Sequence, residues 1–326
     1  MTETKKATSQ TSSKTKNSTP PSMDDILKEN FAQDPQFDFT IAWSTIEPTY
    51  QKVLTAVAKN LKHDGFRPGK VPTHIAEEMV DSNYLAQEVL REVAPPAYQA
   101  ALKKEKLTSF VEPELVIKNV APKTDWILTA CLPQKPVIKL PNYKKLLTDE
   151  KKKILTKLKK EQETAAAAAK KEKRDFTALT AEQLQAQATD RALFTLLETV
   201  KPKISAIMVK RSTQREFERL LEQLKNNNLE LDDYLKNTHQ TIESISQQLS
   251  YSALQNLQLE FILDALLEAE KITATQEEIL AKLKETMPDV KDEKEQQRQL
   301  SEPSVKNYLE LLTKRKKLAD WLLKLS

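Results

Sequence analysis

Glycine is nearly absent from this chain, which has only 2 among its 326 residues. Both lie in one short stretch, GFRPG, as Gly65 and Gly69. Glycine tolerates positive φ and close backbone approach, and nucleotide-binding loops depend on it. The chain has no GxGxxG or GxSxG motif. GFRPGKV is not a P-loop either, since three residues rather than four separate its glycines and Val71 follows Lys70, where Ser or Thr would hold magnesium.

Cysteine and histidine are also scarce. The single cysteine, Cys131, excludes an intrachain disulfide and is typical of a reducing compartment. The 3 histidines, His63, His74 and His239, are too scattered to form a zinc site with it. Cys131 lies in an alternating strand pattern, which favours a packing role over a nucleophile. We therefore expect no metal and no cofactor.

Long hydrophobic runs are missing too. No apolar stretch approaches the roughly 20 residues that span a bilayer. The N-terminus, MTETKKATSQTSSKTKNSTPPS, is rich in Ser, Thr and Lys and lacks the apolar core of a secretory signal. We therefore expect a cytoplasmic protein without a membrane partner.

Paired acidic residues are present, but their positions do not indicate catalysis. Asp232 with Asp233, and Glu277 with Glu278, fall in the predicted first turns of helices, where carboxylates interact favourably with the helix dipole. No catalytic residue and no enzymatic activity are therefore predicted.

Charged residues make up 30% of the chain and aromatic residues only 6%, which favours a mainly helical protein with large solvated surfaces. The net charge of +4 is not spread evenly. Residues 1–22 carry +3 and residues 144–174 carry +7, so the rest of the chain is net negative, at −6. This distribution argues against a dedicated DNA-binding domain.

The first part of the chain is predicted to form an α+β domain. Residues 1–30 are too polar to fold and are predicted to form a disordered tail. The stretch FDFTIAW alternates as a strand does, and an apolar stripe from Tyr50 to Leu61 predicts an amphipathic helix that ends at Gly65. A short helix, a helix broken at Pro95–Pro96, and strands within VEPELVIKNV and TDWILTACLPQKPVIKL complete a domain of residues 31–143.

The remainder is predicted to be helical. Residues 144–178 surround five consecutive alanines with Lys and Glu, and we interpret them as a solvated, semi-helical spacer, with an RNA-contacting basic segment as the alternative. Residues 179–326 are predicted to form an elongated all-α domain without a strand. Capping boxes at Thr180–Gln183 and Thr275–Glu278 start two helices, and Pro202 is expected to open another. The stretch TIESISQQLSYSALQNLQLEFILDALLEAEKI predicts one long helix that projects from the body.

The glycine loop has the residues of a docking site. Phe66 and Arg67 stand at its tip, and an aromatic ring beside a guanidinium is a common interface hot spot. Four basic residues between Lys59 and Lys70, against Asp64, give the surroundings a local charge of +3. This favours an acidic or RNA-rich partner. The alternative is an ordinary turn between two helices.

The stretch GFRPGKVP resembles the ribosome-docking signature of the trigger factor family, bacterial chaperones that meet nascent chains at the ribosomal exit tunnel. The order of strand, helix, loop, short helices and returning strands resembles the family's N-terminal domain. The stretch from FERLLEQL to ATQEEI resembles its helical arm region. The resemblance implies a ribosome-binding domain followed by a helical chaperone domain with arms. It implies docking through Gly65, Phe66, Arg67, Pro68, Gly69 and Lys70.

The same resemblance implies the partners: exit-tunnel protein and rRNA of the ribosome, unfolded nascent polypeptides, and further copies of the chain away from the ribosome. Two departures from the family qualify it. Pro68 stands where the family usually has a second basic residue, which stiffens the tip and removes a charge. The family commonly carries an FKBP-type peptidyl-prolyl isomerase domain before the helical body, whereas only residues 144–178 lie there, too few for a folded domain.

The expected function is that of an ATP-independent chaperone that docks on ribosomes and shields nascent polypeptides during folding or export. A helical scaffold that binds one specific folded partner is the main alternative. Such a scaffold would bind its partner saturably and would not suppress the aggregation of unrelated proteins. An RNA-associated protein acting through the lysines of residues 151–160 is a third interpretation, and an isomerase ranks last.

Overall fold

The computed structural model describes residues 27–61, 66, 71–172, 174–290 and 292–325. Within them a small α+β part is followed by a larger helical part, which confirms the predicted fold class. Most of the predicted tail, residues 1–26, lies outside the described residues.

A three-stranded antiparallel sheet forms the centre of the α+β part. Its strands, in the spatial order β2-β4-β3, are β2 (Gln36–Ile41), β4 (Trp126–Cys131) and β3 (Glu114–Asn119). Phe39 lies opposite Leu128 and Ile41 opposite Trp126, so the alternating apolar residues share one face, as predicted. The strand predicted from FDFTIAW runs too far, because Trp43 already begins the next helix. The tail of the last predicted strand segment, residues 132–140, is not a strand.

Three helices pack on the apolar face of this sheet: α1 (Trp43–Ala58), α2 (Thr73–Met79) and α3 (Ser82–Glu105). The helix predicted to reach Gly65 ends earlier, at Ala58. Its last turn tightens there, since the N–H of Asn60 donates to the carbonyl of Val57 at 2.9 Å, three residues back rather than four. Trp126 is completely buried between the sheet and the helices.

Helix α3 passes through Pro95 and Pro96 without a break, which corrects the predicted interruption. Both prolines face solvent, so the carbonyls that lose their helical donors can be hydrated. Val93 and Tyr98 on the opposite face are buried in the sheet's core. Packing on both sides of the proline pair therefore outweighs the two lost hydrogen bonds.

A two-stranded parallel pairing joins the start of the described chain to the helical part. Strand β1 (Phe31–Ala32) pairs with β5 (Ile204–Ser205), a strand that the sequence did not predict. We expected Pro202 to open a helix, and this prediction is wrong. Pro202 precedes β5 instead. The next helix starts at Ala206, with the Ser205 hydroxyl as its N-cap. The side chain of Gln258 donates to the carbonyl of Pro202 at 2.8 Å and holds this turn in place.

The residues predicted to form a solvated spacer belong to the packed helical part. They form most of α4 (Tyr143–Glu172), which pairs with α5 (Ala181–Val200). Leu147 and Leu158 are buried in this packing, together with Lys151. An apolar stripe that faces α5 is interspersed with the charged residues, and the sequence analysis did not recognise it. The segment is therefore a packed helix and not only a spacer. The position of the domain boundaries at residues 143 and 178 stays a prediction.

The predicted long helix exists, but it does not project. It is α8 (Ile242–Ala269), capped by the Thr241 side chain, and it packs against α5 and against α6 (Ala206–Asn226). Its buried positions occur on several sides of the helix, as expected for a central element. They are Ile245, Ala253, Leu254, Leu257, Gln258, Phe261, Ile262, Leu266 and Leu267.

Short helices complete the chain: α7 (Leu231–Thr238), α9 (Gln276–Thr286), α10 (Glu293–Ser301) and the longer α11 (Pro303–Lys324). Both predicted capping boxes are confirmed, at Thr180 with Gln183 and at Thr275 with Glu278. The paired acids lie in first turns as predicted, in α7 and in α9.

Candidate functional site

The predicted docking loop is anchored by apolar residues at both ends. Leu61 leaves the end of α1 and packs against the core of the α+β part. Val71, just before α2, is buried in the same core. Nine residues separate these two anchors, and Phe66 is the one among them that the structure describes.

The two helices that flank the loop are tied together. The Tyr50 hydroxyl of α1 donates to Oε1 of Glu77 in α2 at 2.8 Å. Burial, and then the Glu77 carboxylate, raise the pKa of the Tyr50 phenol well above its ordinary value, so it stays a donor. The ring of Trp43 packs edge-on against Tyr50 with centroids 5.3 Å apart. The hydrogen bond between Tyr50 and Glu77 thus links the two helices on either side of the loop.

Of the six predicted docking residues, only Phe66 is described, as a bend with 37% of its surface exposed. Gly65, Arg67, Pro68, Gly69 and Lys70 lie outside the described residues. The assignment of the loop as a docking site therefore stays a prediction.

Two further apolar residues are exposed beyond the loop, and sequence reasoning missed them. They are Met79, the last residue of α2, and Tyr84, in the first turn of α3. The sequence did contain a signal for their exposure, because neither residue continues the apolar stripe of its helix. Both flank the corner between α2 and α3.

No group of three or more His, Cys, Asp or Glu in the described ranges could hold a metal ion. Burial raises the pKa of the Cys131 thiol, and the charges of Glu114 and Asp34 act in the same direction. Cys131 is therefore a protonated, buried thiol, in line with the packing role expected for it.

The helical part exposes large apolar side chains on several separate helices and loops. Side chains distributed in this way form several small apolar surfaces and not one deep pocket. They are Phe176, Leu179, Phe194, Leu221, Ile242, Tyr308 and Leu323. Among the described helices, none combines the length and the apolar character needed to cross a membrane.

Part of this chain is similar to curated proteins. Among curated proteins, the trigger factors of Streptococcus pneumoniae strains JJA and Hungary19A-6 are each 34% identical to this chain over 108 residues. This stretch is 33% of the chain and 25% of each relative, so the match spans only a quarter of their length. A solved structure concerned with promiscuous substrate recognition in folding and assembly activities of the trigger factor chaperone has a TM-score of 0.46 and 11% identity. That alignment covers 90% of this chain and 98% of the other.

Two family models match the chain as well. One describes bacterial trigger factor protein and matches residues 26–168. The other describes the C-terminus of bacterial trigger factor protein and matches residues 144–324. The two matches overlap in α4, so the models meet within this chain and leave no gap between them. Because the second model alone matches more than half of the residues, the chain belongs to the trigger factor family.

Proposed function

We propose that this chain is an ATP-independent chaperone that docks on the ribosome through the loop around Phe66 and shields nascent polypeptides near the exit tunnel. The observation that supports the proposal is the arrangement of the described residues at the base of the loop. Its ends are fixed in one core by Leu61 and Val71, its flanking helices are tied by Tyr50 and Glu77, and Phe66 between them is exposed.

Client binding is assigned to the scattered apolar residues of the helical part. Each exposed side chain offers a small apolar contact, and an unfolded chain can bind several at once. Release follows as the client buries its own apolar surface, so no nucleotide chemistry is required. Isomerase activity is not part of the proposal, because the two family models meet in α4 without an intervening segment. The proposed place of action is the cytoplasm.

The decisive experiment is co-sedimentation with empty ribosomes. Phe66→Ala combined with Arg67→Ala is expected to lower ribosome binding at least about tenfold, as loss of a hot spot does. Phe194→Ala combined with Arg191→Ala is the matched control, since it removes the same residue types from an exposed face of α5. Unchanged binding of the loop variant would overturn the docking assignment.

The structure sharpens the test of the RNA alternative. Among the lysines of residues 151–160, Lys151 is buried and donates to three backbone carbonyls, so it cannot contact RNA. Only the exposed members should be neutralised, namely Lys152, Lys153, Lys157, Lys159 and Lys160. If ribosome binding depends on these and not on the loop, the RNA interpretation replaces the docking loop.

The scaffold alternative is tested with an unrelated unfolded protein. A chaperone is expected to slow its aggregation at stoichiometric ratios, whereas a scaffold for one folded partner is not. Failure to suppress aggregation of several such clients would overturn the chaperone proposal.

A further inference from the structure

A large groove opens in the α+β part. Its volume is about 1120 Å³, and it lies between α3, the segment 107–113 and strand β3. A groove of this size accepts several side chains rather than one. Phe66, the one docking residue that the structure describes, is not among its lining residues.

The floor of the groove is the uncovered end of the sheet's apolar face. Leu115 pairs with Ala130 and Ile117 with Leu128, so these side chains share the face that packs against the helices. Helix α3 covers this face over β2, where Tyr98 packs against the rings of Phe37 and Phe39. Over β3 the face stays open, and Ile117 is 44% exposed although it points to the core side.

Strand β3 is also an edge strand. The order β2-β4-β3 leaves its outer side without a partner strand in the described chain. An unpaired edge offers backbone donors and acceptors to an extended peptide. A peptide that adds to this edge would direct alternate side chains into the groove, because side chains alternate along a strand.

The rim of the groove is basic. Among the lining residues that the structure describes, Arg91, Lys103 and Lys106 stand against a single acidic residue, Glu112. Arg91 is paired with Glu88 at 2.9 Å, and Glu112 faces Arg211 at 3.9 Å. No carboxylate of the described residues lies within ion-pair distance of Lys103 or Lys106. These two charges are therefore available to an acidic occupant.

One buried hydroxyl group on the groove wall also lacks a well-formed hydrogen bond. The Tyr98 hydroxyl is buried beside the Ser109 hydroxyl and has no hydrogen bond of good geometry. Ser109 donates to the carbonyl of Val111 at 2.5 Å. A backbone carbonyl of a bound segment would give the Tyr98 hydroxyl an acceptor.

We propose that this groove is a second polypeptide-binding site, which takes an extended, apolar segment with acidic flanks as an added strand on β3. Alternate apolar side chains enter the groove over Ile117 and Leu128, and the acidic flank lies against Lys103 and Lys106. The inference rests on the proposed chaperone function for its biological setting, but its binding test is independent of ribosomes.

The test uses a fluorescein-labelled peptide of about ten residues, with alternating Val and Thr in its centre and Asp and Glu at both ends, and measures anisotropy with the full chain. Ile117→Glu is expected to weaken binding at least about tenfold. Val116→Glu is the matched control, because Val116 adjoins Ile117, is 49% exposed and points to the opposite face. It adds the same charge and is expected to change binding less than about threefold.

The acidic preference has its own pair of variants. Lys103→Gln is expected to weaken binding of the acidic peptide severalfold, while Lys104→Gln, outside the groove lining, leaves it unchanged. A peptide with Lys in place of the acidic flanks should bind more weakly than the acidic one. Equal effects of Ile117→Glu and Val116→Glu, or equal binding of both peptides, would overturn the proposal. Concentration-dependent self-association that Ile117→Glu abolishes would assign the groove to a second copy instead.

Failure of this inference can be told from failure of the proposed function. If the native chain suppresses aggregation of unfolded clients but does not bind the peptide, the chaperone proposal stands and the groove assignment fails. If the chain binds the peptide through Ile117 but does not suppress aggregation, the groove assignment stands and the chaperone proposal fails.

Discussion

The ammonium of Lys151 in α4 donates to the backbone carbonyl of Leu325 at 2.7 Å, just beyond the C-terminal end of α11. It also donates to the carbonyls of Leu322, at 2.8 Å, and Leu323, at 3.1 Å. A helix leaves its last carbonyls without donors, and a cation there also complements the helix dipole. One buried lysine from a segment predicted to be solvated thus caps the last helix of the described chain.

Replacing this lysine is expected to destabilise the helical part. Lys151→Met keeps the length and apolar stem but removes three hydrogen bonds, at an expected cost of about 1–3 kcal/mol in the free energy of unfolding. Burial lowers the pKa of Lys151, so part of the loss is offset because its charge no longer has to be desolvated. Urea denaturation measures the change. Lys152→Met, at an exposed neighbour, is the control, and equal midpoints for both variants would contradict the prediction.

Arg211 is expected to hold the groove-lining segment on the helical part. Its guanidinium donates from Nη1 to the carbonyl of Glu112 at 2.7 Å and from Nη2 to that of Pro113 at 3.1 Å. Arg211→Lys cannot reproduce this fork. We expect faster hydrogen exchange of the Phe110 amide, which donates to the carbonyl of Pro133 at 3.0 Å. Arg215→Lys, one turn on and exposed, should leave that exchange rate unchanged; an equal acceleration would refute the assignment.

Glu278 should make stability depend on pH in the acidic range. Lys317 donates to its carboxylate at 2.8 and 3.0 Å, and this hydrogen bonding lowers the pKa of Glu278 below its ordinary value of 4.5. A carboxyl with a lowered pKa in the folded state stabilises above its unfolded pKa, and the contribution is lost as pH falls through the folded pKa.

The matching variant is Glu278→Gln, since glutamine can still complete the capping box with Thr275. Its urea midpoint is expected to lie below that of the native chain near neutral pH. The two midpoints should converge as the pH falls below about 4.5. Glu277→Gln, in the same first turn but exposed, controls for the helix dipole. A gap for Glu278→Gln that persists at about pH 2 would contradict the assignment.

Pro96 should be replaceable with a gain in stability. Alanine at this position restores a helical N–H to the carbonyl of Glu92, while the freer unfolded chain offsets part of the benefit. Pro96→Ala is therefore expected to raise the free energy of unfolding by about 1 kcal/mol. Pro303→Ala is the control, because Pro303 starts α11, where the N–H would have no helical partner. A lower midpoint for Pro96→Ala would show that the helix depends on the proline.

Much of the fold could be predicted because local patterns agree with the final packing. The alternation of Phe37, Phe39 and Ile41 identified a strand, and the Thr180 and Thr275 boxes located helix starts correctly. Such signals act within a few residues, so no distant partner is needed to interpret them.

The errors share one cause, which is packing between residues far apart in the chain. Strand β5 has two residues, and its partner β1 lies in a different part of the sequence, so no local periodicity marks it. The role of Lys151 was hidden because a lysine in a charged run looks solvated until the end of α11 is placed beside it. The open face over β3 could not be predicted either, because the sequence pattern around Ile117 is the same whether or not a helix covers it.

The pairing of β1 with β5 also imposes an order on biosynthesis. Residues 36–132 contain both edges of the three-stranded sheet and its helices, so this core can form as soon as they have emerged. Leu27 and Phe31, made just before them, belong to another core with Ile204 and Phe261. The N–H of Ile204 donates to the carbonyl of Asn30 at 3.0 Å, a bond between the start of the described chain and a residue made long afterwards. The earliest described residues to leave the ribosome are thus among the last to pack. Their apolar side chains stay without this core until α8 has been synthesised.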